Sequence, residues 1–314
     1  MTAINGTAIN GTAIKGTIME RAIAQRAWDL AANYMTADDA ARGIPGIREA
    51  YERLLAGLGE GCDAEVTPVV ADGVPCLIVR DLQSHARIRT IHFHGGGYVV
   101  GSARGSVEYA ARLSAATDAA VLVVDYRLSP EHPYPAAIDD AKAAYDWLCR
   151  QNEGQILVSG ESAGGGLAVA LGMVCRDKGA AKAPAGFVML SPFSDLAVGG
   201  DTVDTAGERD PFANREKLMM LAGLYLAGAD ARTPLASPLF GDLHGLAPML
   251  IACSAIEALR SDADRLHAAA QAAGVASRLV HYPDTLHIFG IFPFLPEAAA
   301  FMQLVREFAS TQLT

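Results

Sequence analysis

Apolar residues along this chain are spaced in different ways, and each spacing predicts a different element. From Met19 to Met35 the apolar positions Ile23, Ala27, Leu30, Ala31 and Tyr34 fall three or four residues apart, which predicts an amphipathic helix. Ile47–Leu58 predicts another. The period then drops to two. Val66–Val70 and Cys76–Val79 read as strands around Asp72-Gly73, a hairpin turn signal. Ile88–His94 is the next strand. Beyond Ala119, short apolar runs alternate with helical stretches. Val121–Tyr126 is apolar but for Asp125, the pattern of a strand buried on both faces of a parallel sheet. The helix Ala136–Arg150 follows, then the strand Gln155–Ser159 and the helical stretch Leu167–Cys175. Strands Phe187–Leu190 and Met249–Cys253, helix Asp262–Ala273, strand Arg278–Tyr282 and helix Glu297–Thr311 complete the series.

An early hairpin feeding a strand–helix series predicts an α/β fold with one doubly wound, mostly parallel sheet. Residues from about Val198 to about Leu246 interrupt the alternation with polar turns (Gly199-Gly200-Asp201) and a helix near Lys217–Leu226. Such an insertion sits where the loops carry chemistry. It is expected to join the N-terminal helices of residues 19–60 as a helical cap on a catalytic domain spanning 61–314. Residues 2–16 repeat Thr-Ala-Ile-Asn-Gly and its variant Thr-Ala-Ile-Lys-Gly. The units are far shorter than a solenoid repeat, so residues 1–18 are expected to be a dispensable tail, with Met19 as an alternative start.

Composition narrows the function. A chain of 314 residues with 51% hydrophobic content can bury a full core in one large domain. The net charge of −10 argues against nucleic acid or an anionic membrane as partner. No apolar stretch is long enough to span a bilayer, and the N-terminus lacks a basic region followed by an apolar core, so cytoplasmic residence is expected. The five cysteines are scattered without a C-x-x-C and are expected to be buried free thiols.

The candidate chemistry centres on Gly160-Glu161-Ser162-Ala163-Gly164-Gly165, set between a strand and a helical stretch. This is the layout of a nucleophile elbow, which lifts a serine Oγ above the sheet. Gly160 and Gly164 avoid a collision across the turn. The backbone N–H of Ala163, at a helix N-terminus, points where an oxyanion would form. Upstream, His94-Gly95-Gly96-Gly97 ends a strand, and consecutive glycines leave N–H groups free to face an anion. The alternative, a phosphate loop, has no matching G-x-G-x-x-G or Walker pattern in the chain. His92 and His94 form an H-x-H. It is read as a brace for the glycine loop rather than a metal site, because no H-E-x-x-H or Cys partner accompanies it. No metal or other cofactor is called for.

A serine nucleophile needs a base and a group that orients it, in the order Ser, acid, His on this fold. Among the downstream histidines, His267 falls in a predicted helix, His281 in a strand and His244 in the insertion. His287 follows the last strand, where it can reach back over the sheet. Glu257, in the turn after Met249–Cys253, is the preferred acid. Asp262 and Asp264 open a helix, where carboxylates serve as caps, and Asp262 stays as the alternative.

Over roughly residues 85–310 the chain resembles bacterial members of the hormone-sensitive lipase family of α/β-hydrolases. The likeness rests on His94-Gly95-Gly96-Gly97, on the stretch from Asp125 to Ala137 (Tyr126-Arg127-Leu128-Ser129-Pro130-Glu131-His132-Pro133-Tyr134-Pro135 within it), on the Ser162 elbow and on Ser237-Pro238-Leu239. The resemblance implies a cofactor-free serine carboxylesterase acting on small-molecule, short-chain esters. Ser162 would be the nucleophile, His287 the general base and Glu257 the acid, with Gly96, Gly97 and Ala163 as oxyanion donors. Phe212, Leu218 and Tyr225 are candidate cap contacts. The same triad would serve amide or lactone hydrolysis. A non-catalytic receptor, like the plant gibberellin receptors of this family, is a further class; those lack a working triad His, whereas His287 is present. The family often forms homodimers through its last strand and helix. Departures from its pattern are Glu161 and Glu257, where Asp is usual, and Asp284-Thr285 in place of Gly-Met before the histidine.

Overall fold

The computed structural model describes residues 18–59, 62–151, 154–207 and 209–313. The pentapeptide repeat lies outside them. Three helices come first: α1 (Ile18–Asn33), α2 (Ala37–Ala41) and α3 (Ile44–Leu58). The hairpin β1 (Ala64–Ala71) and β2 (Val74–Asp81) turns at Asp72 and Gly73, with φ of 49° and 89°. Both central residues at positive φ match the right-handed twist of paired strands. Next come β3 (His85–Phe93), α4 (Val107–Thr117), β4 (Ala119–Val124), α5 (Ala136–Gln151), β5 (Leu157–Glu161), α6 (Ala163–Lys178) and β6 (Gly186–Leu190). After the short α7 (Thr202–Ala206) and α8 (Arg215–Leu226), the chain finishes with β7 (Met249–Ser254), α9 (Arg260–Ala272), β8 (Ser277–Tyr282) and α10 (Pro296–Gln312).

The strands form one eight-stranded sheet in the order β1-β2-β4-β3-β5-β6-β7-β8. Only the β1–β2 and β2–β4 ladders are antiparallel. The doubly wound, mostly parallel sheet expected from the apolar pattern is therefore present. Helix α4 is an addition that the pattern did not reveal. Its buried face is Tyr109, Ala110, Ala111, Leu113, Ser114, Ala116 and Thr117.

Every residue of β4 through β7 is buried. Leu122 and Val124 join the core shared with α5, α6 and α9, whereas Val121 and Val123 join the core shared with α3, α4 and α10. Two apolar faces on one strand explain the unbroken apolar runs. At about 1.5–3 kcal/mol for each fully buried Val or Leu, such strands fix the register of the loops above them.

Helix α6 is buried on all sides from Ala163 to Cys175. It can be so only because its contact positions are small. A Cβ on Gly172 would lie 2.5 Å from the Phe187 ring, and one on Gly166 would lie 2.3 Å from the Phe193 carbonyl oxygen.

The chain between β6 and β7 folds back over α6. Ser237 Oγ accepts from the Leu196 N–H at 2.7 Å and donates to the Ala231 carbonyl at 2.6 Å, which gives the Ser237-Pro238-Leu239 segment its structural role. Arg48 on α3 donates to the carbonyls of Val99 and Ser129 and pairs with Glu131. That guanidinium ties the N-terminal helices to the glycine loop and to the Asp125–Ala137 stretch. Of the cysteines, Cys62 is exposed, contrary to the expectation of buried thiols, because it lies before β1 outside any apolar run; the other four are buried. Burial pushes Cys76 and Cys175 up to about 12, which keeps them as unreactive thiols at neutral pH. Among the described residues no helix is long and apolar enough to cross a membrane.

Candidate active site

Ser162 sits between the end of β5 and the start of α6 with φ 52° and ψ −119°. A non-glycine residue there carries a backbone cost of order 1–3 kcal/mol, and surrounding structure must hold it. Both of its peptide groups are held, one by the last residue of β6 and one by the loop that follows it. The Ser162 N–H donates to the Leu190 carbonyl at 2.9 Å, and the Ser162 carbonyl accepts from the Phe193 N–H at 2.8 Å. The turn closes tightly enough that a Cβ on Gly160 would lie 2.1 Å from the Gly164 carbonyl oxygen, and one on Gly164 would lie 2.0 Å from that of Phe93.

His287, in the loop after β8, points its Nε2 at Ser162 Oγ across 3.1 Å. Its Nδ1 faces Glu257 Oε1 at 3.4 Å, and both side chains are buried. This separation is long for a hydrogen bond and close enough for a strong charge interaction; such contacts commonly tighten when substrate binds. Burial opposes protonation of His287, yet Glu257, with Asp210 and Glu161 farther off, pushes its pKa above the ordinary histidine value. The other Glu257 oxygen accepts from Ser191 Oγ at 2.7 Å and from the Ser254 N–H at 3.0 Å. Ser191 Oγ also accepts from the Ile288 N–H at 3.2 Å, and Ser254 Oγ donates to the Thr285 carbonyl at 2.7 Å. These two serines lace the acid's loop to the histidine's loop. Neither was singled out from the sequence, where each is one serine after an apolar strand.

The glycine loop lies beside the elbow. Gly96 and Gly97 have φ of 106° and 62°, a conformation open to glycine and costly for other residues. Among the described residues, no group accepts from the backbone N–H of Gly96, Gly97 or Ala163. His94 Nδ1 lies 2.8 Å from the Gly95 carbonyl oxygen, and its ring stacks on Tyr126, whose hydroxyl donates to the His94 carbonyl. His92 contacts Glu161 instead, its Nε2 2.9 Å from Oε2. The second Glu161 oxygen accepts from the Gly95 N–H at 2.6 Å. The residue before the nucleophile thus clamps the glycine loop and a buried imidazole together. Leaving a buried polar group without its partner costs about 1–3 kcal/mol, and here the Gly95 N–H and the His92 ring would both lose theirs. Glu161→Ala is therefore expected to lose about that much stability in urea unfolding; a loss under about 1 kcal/mol would mean that the clamp is idle.

The remaining candidates lie apart from this cluster. His244 pairs with Asp242, His281 with Asp264, and His267 with Ser277. Asp262 does not meet His287 and does not cap its own helix. Its Oδ2 accepts from the N–H groups of Ser194 and Asp195, both at 2.9 Å, and its Oδ1 pairs with Arg265 at 2.8 Å. Burial pushes its carboxyl up to about 7 against the pull of Arg265. Of the cap candidates, the Phe212 ring lies 6.5 Å from the His287 ring and 5.8 Å from that of Tyr34, just after α1. Tyr225 and Leu218 are buried in the α5/α6 core, with Tyr225 stacked on Tyr98 at 3.9 Å. Leu221, not foreseen, covers Gly97, where a Cβ would meet its Cδ1 at 2.6 Å.

Comparison with known proteins bears on the fold and the family. A family model for the alpha/beta hydrolase fold matches residues 90–291. An acetyl-hydrolase of Streptomyces hygroscopicus is 40% identical over 224 residues, covering 70% of this chain and 75% of its own length. The carboxylesterase NlhH of Mycobacterium tuberculosis is 31% identical over 248 residues, covering 74% and 72%. The crystal structure of an esterase from the bacterial hormone-sensitive lipase family superposes with a TM-score of 0.88 at 34% identity, covering 93% of this chain and 99% of that one. On this likeness in sequence and fold, the chain belongs to the bacterial hormone-sensitive lipase family of α/β-hydrolases.

Proposed function

We propose that this chain is a serine carboxylesterase that cleaves short-chain esters through Ser162, His287 and Glu257. Carboxylic ester hydrolysis is the activity named for its relatives. The observation that carries the residue assignment is the line from Ser162 Oγ to His287 Nε2, 3.1 Å, and from His287 Nδ1 to Glu257. His287 takes the Ser162 proton as Oγ attacks the ester carbonyl. Glu257 holds the Nδ1–H tautomer and stabilises the imidazolium that forms. The tetrahedral oxyanion sits against the unengaged N–H groups of Gly96, Gly97 and Ala163. His287 then protonates the departing alcohol, and water activated by the same imidazole cleaves the acyl-enzyme.

Helices α1–α3 and the Val198–Leu246 insertion form the cap in this reading, supported by the Tyr34–Phe212 contact. Leu221 over Gly97 and Phe212 beside His287 crowd the nucleophile, which favours small acyl groups. The open groove of about 750 Å³ between α1 and α3 is lined by Leu30, Tyr34 and Leu54 and by none of Ser162, His287 and Glu257, so it takes no part in this reading. A series of p-nitrophenyl esters from acetate to dodecanoate tests this. The expected maximum of kcat/KM is at two to four acyl carbons; a maximum at eight or more, or turnover confined to anilides, would overturn the short-chain ester reading.

A further inference from the structure

Asp210 belongs to the insertion, remote in sequence from Ser162, Glu257 and His287, yet it is buried. Its Oδ1 accepts from the N–H groups of Phe212 and Ala213, both at 3.0 Å. Its Oδ2 accepts from the Ala258 N–H, also at 3.0 Å, across 48 residues of chain. One carboxylate therefore fixes two things. The first is the turn that sets Phe212 beside His287. The second is the backbone of the residue that follows Glu257. Among the described residues its three bonds all come from backbone N–H groups, and no cationic side chain pairs with it. The acidic groups acting on His287 are Glu257 from the turn after β7, Asp210 from the insertion and Glu161 from the end of β5, and each favours the protonated ring.

We propose that Asp210 is a positioning residue of the esterase reaction, joining the pocket wall at Phe212 to the acid at Glu257, so that the insertion helps set the geometry of the catalytic base. This rests on the Ser162–His287–Glu257 reading. The backbone tether and the turn can be separated by substitution. Asp210→Ala loses both. Asp210→Asn keeps one oxygen for the paired Phe212 and Ala213 N–H groups and turns its NH₂ toward the Ala258 N–H, so it loses the tether alone. Both remove the charge.

The test uses the full chain and a p-nitrophenyl phosphonate, whose released nitrophenol counts working Ser162. Steady-state rates with p-nitrophenyl butyrate are then taken per labelled site from pH 5 to 9. Misplacing a catalytic group by about 1 Å costs up to roughly a hundredfold. Asp210→Ala is accordingly expected to lower kcat about tenfold to a hundredfold and to raise KM. Asp210→Asn should lower kcat while KM stays within about twofold. In both, the acid limb of kcat/KM should move to lower pH, because a negative charge that favours the imidazolium is gone. An unmoved acid limb, or a kcat per site within about twofold of wild type, overturns the proposal even if the variants melt earlier, since a scaffold role alone predicts that result. Failure of the phosphonate to label wild type would instead remove the serine-nucleophile reading, and this proposal with it, before any Asp210 variant is measured.

Discussion

Ser162→Ala is expected to lower kcat for p-nitrophenyl acetate by about 10⁵–10⁶-fold, in line with loss of a triad nucleophile elsewhere. The change deletes only Oγ, whose partner is His287 Nε2. The backbone of residue 162 is held through its own peptide groups by Leu190 and Phe193, so an alanine there keeps the elbow folded. Folding and catalysis should therefore separate cleanly: thermal unfolding close to wild type, with turnover near background. Any residual rate above background would come from the oxyanion donors and from substrate binding. Turnover equal to wild type would remove Ser162 from the reaction.

The second large effect distinguishes two carboxylates. Glu257→Ala should cost about 10⁴ in kcat, the order seen when a triad acid is disabled. Asp262→Ala should leave kcat per active site within about tenfold of wild type. Its loss should appear in stability, at about 1–3 kcal/mol, because the buried N–H groups of Ser194 and Asp195 lose their acceptor while Arg265 keeps Asp195. The pH profile gives an independent reading of the acid. His287 must be neutral to accept a proton, and Glu257 raises its pKa above the ordinary value. The wild-type acid limb of kcat/KM is therefore expected above about pH 6.5, with activity falling as pH drops through it. In Glu257→Gln the burial that disfavours imidazolium acts with less opposition, so the limb moves to lower pH. If Asp262→Ala were the crippled variant and its limb the one that moved, the acid would be Asp262.

What could be read from the sequence was local. Ser162 and the glycine loop lie at strand ends and His287 in the loop after the last strand, where an apolar run passes into a turn, and such boundaries are written in a few adjacent residues. The parallel sheet was legible for the same reason, since a strand covered on both faces has no polar alternation. The parts that stayed hidden depend on which strands become neighbours. Ser191 reaches Glu257 because β6 lies beside β7, and nothing near Ser191 in the chain announces that. Asp210 finds its partner only once the insertion folds over the turn after β7. Asp262 reads as a helix-start carboxylate, yet it faces a loop 68 residues earlier. The departure at Glu161 was visible, and its reason was not: the longer side chain spans from the elbow to both His92 and Gly95.

Helix α6 carries a consequence for how this enzyme can vary. An ordinary surface helix tolerates substitution on one side and resists it on the other, so its mutational profile oscillates with the helical repeat. Helix α6, enclosed on all sides from Ala163 to Cys175, has no permissive side, and its profile should be uniformly intolerant. Variation in substrate range must then enter from the opposite wall of the site, at Phe212 and Leu221. There partial exposure leaves room for side chains of other sizes, and a changed residue alters what fits without disturbing the support beneath the nucleophile.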